Sequence, residues 1–204
     1  MSRKDTKFRK LSEKHPLNHL VGPFVAAREV QTKHNTNPTL VPDKAFGTAL
    51  VIAPGMAITA IHVLEEYLRL NENYDLDAER KKKGHFTIPH TFKMFIPIFG
   101  GKVRTTLLVY NMSFSGTGDI AIMEVIAPPS FDWGSFQPYP CLKLAPPDVG
   151  ERIQAIGYPG SSVVPKSNSP VQLHTWPKVS TGRVLQIHDE SRDSTFMNLS
   201  LIHI

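Results

Sequence analysis

Cys141 is the single cysteine of this sequence, which excludes an internal disulfide framework and leaves no thiolate cluster for zinc. A reducing compartment, the cytoplasm before any other, suits that usage. Long hydrophobic runs are missing too. None approaches the roughly 18 uninterrupted apolar residues of a membrane span, because each candidate is broken by Gly, Pro or a charge. The opening MSRKDTKFRKLSEK is basic, but HPLNH follows it where a secretory signal would turn greasy, so no signal peptide is expected. No fixed-period repeat and no low-complexity tract occurs. Glycine is absent beyond Gly182, so the last stretch lacks the residue that sharp backbone turns favour.

What is present is a globular composition. With 204 residues, 41% of them apolar, the chain can bury a substantial core. The net charge of +5 is concentrated at one end, since residues 1 to 14 hold six Lys/Arg against two Asp/Glu. Such a segment reads as a solvated, flexible basic leader spanning 1–18, and ERKKKG at 79 to 84 reads as an exposed loop. Beyond Phe8 no aromatic interleaves with the leader's charge, and no nucleic-acid motif is present, so no nucleic-acid partner is expected.

Short segments rich in Val, Ile, Thr and Phe, separated by Gly, Pro and Asn, mark the chain as all-β. Six precede residue 130: 20 to 30, 46 to 53, 56 to 61, 92 to 98, 102 to 110 and 119 to 126. Six strands can close into a barrel, expected over 19–130. Pro54-Gly55 suits the centre of a type II turn joining the second and third strands. VLEEYLRL, after His62, predicts about two helical turns. Residues 71 to 91, polar and without period, predict a surface excursion. A proline-rich link, APPSFDWGSFQPYPC, leads to a second β series at 142 to 145, 152 to 158, 171 to 176, 179 to 187 and 194 to 198. Five segments over 131–204 amount to an unfinished second barrel.

Two residues carry candidate chemistry. GTALVIAPGMAITAIHVLEE ends an apolar hairpin on His62, where backbone on both sides would hold the imidazole rigidly at a barrel rim. Near neutral pH an imidazole accepts and returns a proton, provided a carboxylate fixes its tautomer. Asp119, in SGTGDIAIMEV, is the candidate carboxylate, because it opens a strand that is otherwise mostly apolar. Taken singly, each residue reads more simply as a structural histidine and a turn-forming aspartate. His85 and His90 sit in a polar stretch without companion ligands, so no metal site is assigned, and His174 on a later strand reads as a core or surface residue.

Together, TAIHV preceded by FGTALVI and followed by GDIAI resembles the trypsin-like serine proteases of the chymotrypsin fold. VGERIQAIGYPG at 149 to 160 and VSTGRV at 179 to 184 resemble strands of that family's second barrel. The resemblance covers about residues 20 to 198. It implies two six-stranded antiparallel β-barrels, the second incomplete here. It implies His62 as general base and then acid, Asp119 as its orienting carboxylate, and serine endopeptidase chemistry through an acyl-enzyme on a protein or peptide substrate, with neither metal nor cofactor. Val63 stands where secreted relatives often carry Cys, which points to the disulfide-free, bacterial-type branch. Ile61 is bulkier than the small residue usual before the histidine. The family's nucleophile occupies a Gly-x-Ser-Gly-Gly loop whose amides form the oxyanion hole, and this sequence has none. Ser191, Ser194 and Ser200 lack the loop, and Ser161 and Ser162 come too early, so none is assigned. LSLIHI at the end departs from the expected continuation, and a reading frame cut short before the serine, or foreign sequence, is expected there. The chain should therefore cut no peptide. The alternative is a non-catalytic relative using the protease fold for binding or scaffolding.

Overall fold

The structure, a computed structural model, describes residues 8–12, 14–32, 35–63, 65, 85–86, 93–100, 103–114, 119–141, 147–164 and 172–185. Over these residues the chain is all-β. Its strands are β1 (Arg9–Lys10), β2 (Val21–Thr32), β3 (Asn35–Ala53), β4 (Met56–Thr59), β5 (His85–Phe86), β6 (Lys93–Gly100), β7 (Val103–Phe114) and β8 (Ala121–Ile126). After a 3-10 segment at Trp133–Phe136 come β9 (Arg152–Gly157), β10 (Ser162–Val164), β11 (Gln172–His174) and β12 (Lys178–Arg183).

The largest sheet is antiparallel and runs β5-β7-β6-β2-β3-β4-β8, and β7 also pairs with β8. That last pairing returns the sheet to its start. Strands β2, β3, β4, β8, β7 and β6 thus hydrogen-bond in a closed circuit. Side-chain alternation fills the interior. On β8, AIMEVI turns Ala121, Met123 and Val125 inward and Ile122, Glu124 and Ile126 outward. Phe24, Val51, Ala57, Ile96, Ile98, Leu107 and Met112 complete the same core.

Strand β2 is buried on both faces from Val21 to Ala27. Phe24 and Ala26 join the main core, while Val25 and Ala27 pack against Ala45 and Leu173. An apolar run without alternation has this physical cause, a strand covered from both sides. Its second cover comes from the later part of the chain, where β1, β12 and β9 form a three-stranded sheet and β10 pairs with β11.

The structure departs from the sequence-based expectations at several points. Part of the leader is ordered into the later sheet: Arg9 and Lys10 pair with Val179 and Lys178, and Leu11 is buried. The basic side chains disguise this, since a two-residue strand needs only backbone partners and one apolar anchor. Strand β3 begins at Asn35, well before residue 46. Its first half, NTNPTLVPDKA, looks like loop because of two prolines and its polar residues, yet it follows β2 through register shifts at Phe24/Val25, Ala26/Ala27 and Val30/Thr32. Strands β5 and β10 fall where no strand was expected. The predicted turn at Pro54-Gly55 has Gly55 at φ +74°, the left-handed position that such a turn places second. Residues 142 to 145 and 194 to 198, most of VLEEYLRL and most of the 71 to 91 excursion lie outside the described residues. No described helix is long and apolar enough to cross a membrane.

Candidate active site

The register of two paired strands builds the site. Thr59, the last residue of β4, lies opposite Ala121, the first of β8. Continuing the antiparallel ladder two residues past the strand ends brings position 61 to position 119, and the Ile61 N–H donates to the Asp119 carbonyl oxygen at 3.3 Å. Ile61 is fully buried and fills the end of the core. Residues 61 to 63 begin a helical turn, so the side chain after Ile61 is swung outward. That side chain is His62.

His62 and Asp119 meet through two contacts. The His62 backbone N–H donates to Asp119 Oδ1 at 3.0 Å, and His62 Nδ1 lies 2.7 Å from Asp119 Oδ2. The carboxylate is mostly covered, at 22% exposure, whereas the imidazole side chain is 60% exposed. Water therefore screens the charge attraction, and the pair matters more for orientation than for stability. With Nδ1 committed to Asp119, Nε2 is the ring nitrogen left for acid or base chemistry.

His62 borders an open cleft of about 480 Å³ that lies between the closed ring of strands and the later sheets. The ring side contributes Phe46, Gly47, Thr48 and Val63, and the other side contributes β9 and the turn from Tyr158 to Ser161. Among the described residues, no Asp, Glu, Lys or Arg lines it. Thr48 ties the walls together: its Oγ1 accepts from the Tyr158 backbone N–H at 2.9 Å, and its carbonyl accepts from Thr59 Oγ1 at 2.8 Å. The Tyr158 hydroxyl donates to the Val21 carbonyl at 2.9 Å, and burial pushes its pKa up to about 12.

Of the serines weighed from the sequence, Ser161 lines the cleft, but its hydroxyl is engaged elsewhere. It donates to the Tyr158 carbonyl at 3.0 Å and lies 2.6 Å from Thr175 Oγ1. A hydroxyl has one proton, and a proton given to a carbonyl is not given to a base. Ser162 lies on β10, paired with His174 on β11. Ser191, Ser194, Ser200 and His90 lie outside the described residues. Sequence reasoning missed Thr48, Tyr158, Phe46 and the leader's Phe8, which also lines the cleft. The breaker cluster Gly157-Tyr158-Pro159-Gly160 was the available signal for the far wall. Comparison with protein-family models, with curated proteins and with solved structures returned no match.

Proposed function

We propose that the chain carries the base and orienting carboxylate of a trypsin-like serine endopeptidase, His62 and Asp119, within a double-barrel fold of the chymotrypsin type. The observation that supports this most is the double contact of Asp119 with His62, one oxygen on the backbone N–H and the other on Nδ1. A carboxylate so placed holds the tautomer in which Nε2 accepts a proton from an attacking hydroxyl, and it steadies the imidazolium that forms. Further support comes from the closed circuit of six strands that bears both residues, and from a second set of sheets across the cleft. The substrate class is protein or peptide, and a reducing, cytoplasmic setting agrees with the lone Cys141.

The reaction needs a serine in a glycine-rich loop that this sequence does not contain, so the 204-residue chain is expected to turn over no peptide. The test uses a form extended beyond Asn198 through a Gly-x-Ser-Gly-Gly loop. Fluorophosphonate should label its serine, and His62→Ala should abolish labelling. A folded extended form that resists the reagent overturns the reading. A second reading, a peptide-binding module without turnover, draws on the commitment of the Ser161 hydroxyl to its own loop.

A further inference from the structure

The outer face of the ring of strands is apolar over one sector. On β8, Ile122, Glu124 and Ile126 point outward, and strand alternation puts Ile120 on the same side. The register sets their neighbours: Ile58 and Met56 of β4 lie opposite Ile122 and Glu124, and Leu108 of β7 lies opposite Ile126. Tyr110 stands at the irregularity of β7 between Val109 and Asn111, beside Glu124. Met56, Leu108, Tyr110, Ile120, Ile122 and Ile126 thus form one contiguous patch, each between 37% and 61% exposed.

A strand that is apolar on both faces is ordinarily covered on both. Strand β2 follows the rule, since its outer Val25 and Ala27 pack against Ala45 and Leu173. Strand β8 is apolar on both faces with its outer isoleucines open to solvent. Six side chains of roughly 200 Å² each, about half exposed, leave roughly 600 Å² of apolar surface, the upper end for the largest patch on a typical monomer. Two such faces in contact would remove roughly 1,200 Å² from water, the area at which stable interfaces begin.

Glu124 selects the occupant. Among the described residues of this face it alone is charged. Lipid, or a wholly apolar partner, would bury its carboxylate without a hydrogen bond. A second copy brings the missing donor, because a two-fold axis gives each face one Tyr110 hydroxyl for the other's one Glu124 carboxylate.

We propose that this face is a two-fold interface between copies of the chain, with Leu108, Ile122 and Ile126 at its apolar centre and Tyr110 of one copy donating to Glu124 of the other. The proposal is independent of the endopeptidase reading. Sedimentation equilibrium of the 204-residue chain between about 1 and 100 µM should show the mass rising from 22.8 kDa towards twice that value. Ile126→Glu, at a half-exposed position, should stay monomeric over the same range with its far-UV circular dichroism unchanged. Tyr110→Phe keeps the ring and loses the donor, and should weaken association about tenfold. A monomer mass at every concentration, association that survives Ile126→Glu, or association that Tyr110→Phe leaves unchanged or strengthens would overturn the proposal. Flotation of the chain with phosphatidylcholine vesicles would overturn it too, by making lipid the occupant.

Discussion

At the scale of single residues, the backbone half of the His62–Asp119 contact does as much as the ring half. An imidazole held only through Nδ1 can swing about its χ angles. With Asp119 Oδ1 also accepting the His62 N–H, carboxylate and main chain move together. Neutral His62 is then expected to carry its proton on Nδ1, donated across 2.7 Å to Asp119 Oδ2. In Asp119→Asn the amide NH₂ can face Nδ1 and donate, which favours the tautomer protonated at Nε2. Ring ¹⁵N spectra of the two proteins should show the protonated and bare nitrogens exchanged, and identical spectra would remove the tautomer argument. In an extended form able to react, the same substitution should lower kcat about ten-thousandfold. Both residues were legible in the sequence because each is polar at the end of an apolar strand, where a polar group needs either a partner or water. Thr48 and Tyr158 were not. Their bond spans 110 positions, and neither residue type breaks a local pattern.

At the scale of elements, strands whose side chains report their cover were legible, β2 with both faces buried and β8 with one, and strands set by backbone pairing alone were not. The alternation on β8 translates directly into inward Ala121, Met123 and Val125. The two-residue strands β1 and β5 are set by backbone pairing to later elements of the chain, and the first half of β3 by irregular pairing with its neighbour β2, which side-chain periodicity does not report. The turn carrying His62 depends on one close approach of this kind. A Cβ added at Gly47, on β3, would lie 2.7 and 2.8 Å from the two γ-carbons of Val63. Real carbons do not approach so closely, so Gly47→Ala must push Val63 and the turn that presents His62. The expected cost is about 1–3 kcal/mol, read as a fall in Tm of roughly 2–4 °C per kcal/mol. Val63→Ala removes both γ-carbons. Combined with Gly47→Ala, it should therefore recover part of the loss, giving a double-mutant cycle that is not additive. A Gly47→Ala protein as stable as the parent, or strictly additive effects, would show that the turn is not seated on this glycine.

At the scale of the whole molecule, Tyr158 joins the ring of strands to the later sheets, with its N–H on Thr48 Oγ1 and its hydroxyl on the Val21 carbonyl. The hydroxyl can donate only while it is protonated, and the side chain is almost wholly buried, at 3% exposure. Burial penalises the phenolate, so the folded pKa rises from 10.0 to about 12. A folded value above the unfolded one means that folding favours the protonated form. That contribution is complete below about pH 10 and is lost as pH climbs through about 12. A gap of about two pH units corresponds to roughly 3 kcal/mol. Urea unfolding of the parent should weaken by something of this order across that window. Tyr158→Phe should cost about 1–2 kcal/mol at neutral pH, because the Val21 carbonyl loses its donor in a buried place. Its alkaline loss should be correspondingly shallower. Tyr139, also raised, by burial first and by Asp132 second, titrates in both proteins, so the difference between their curves isolates Tyr158. Parallel curves from neutral pH to the alkaline limit would mean that the phenol is not what locks the two halves together.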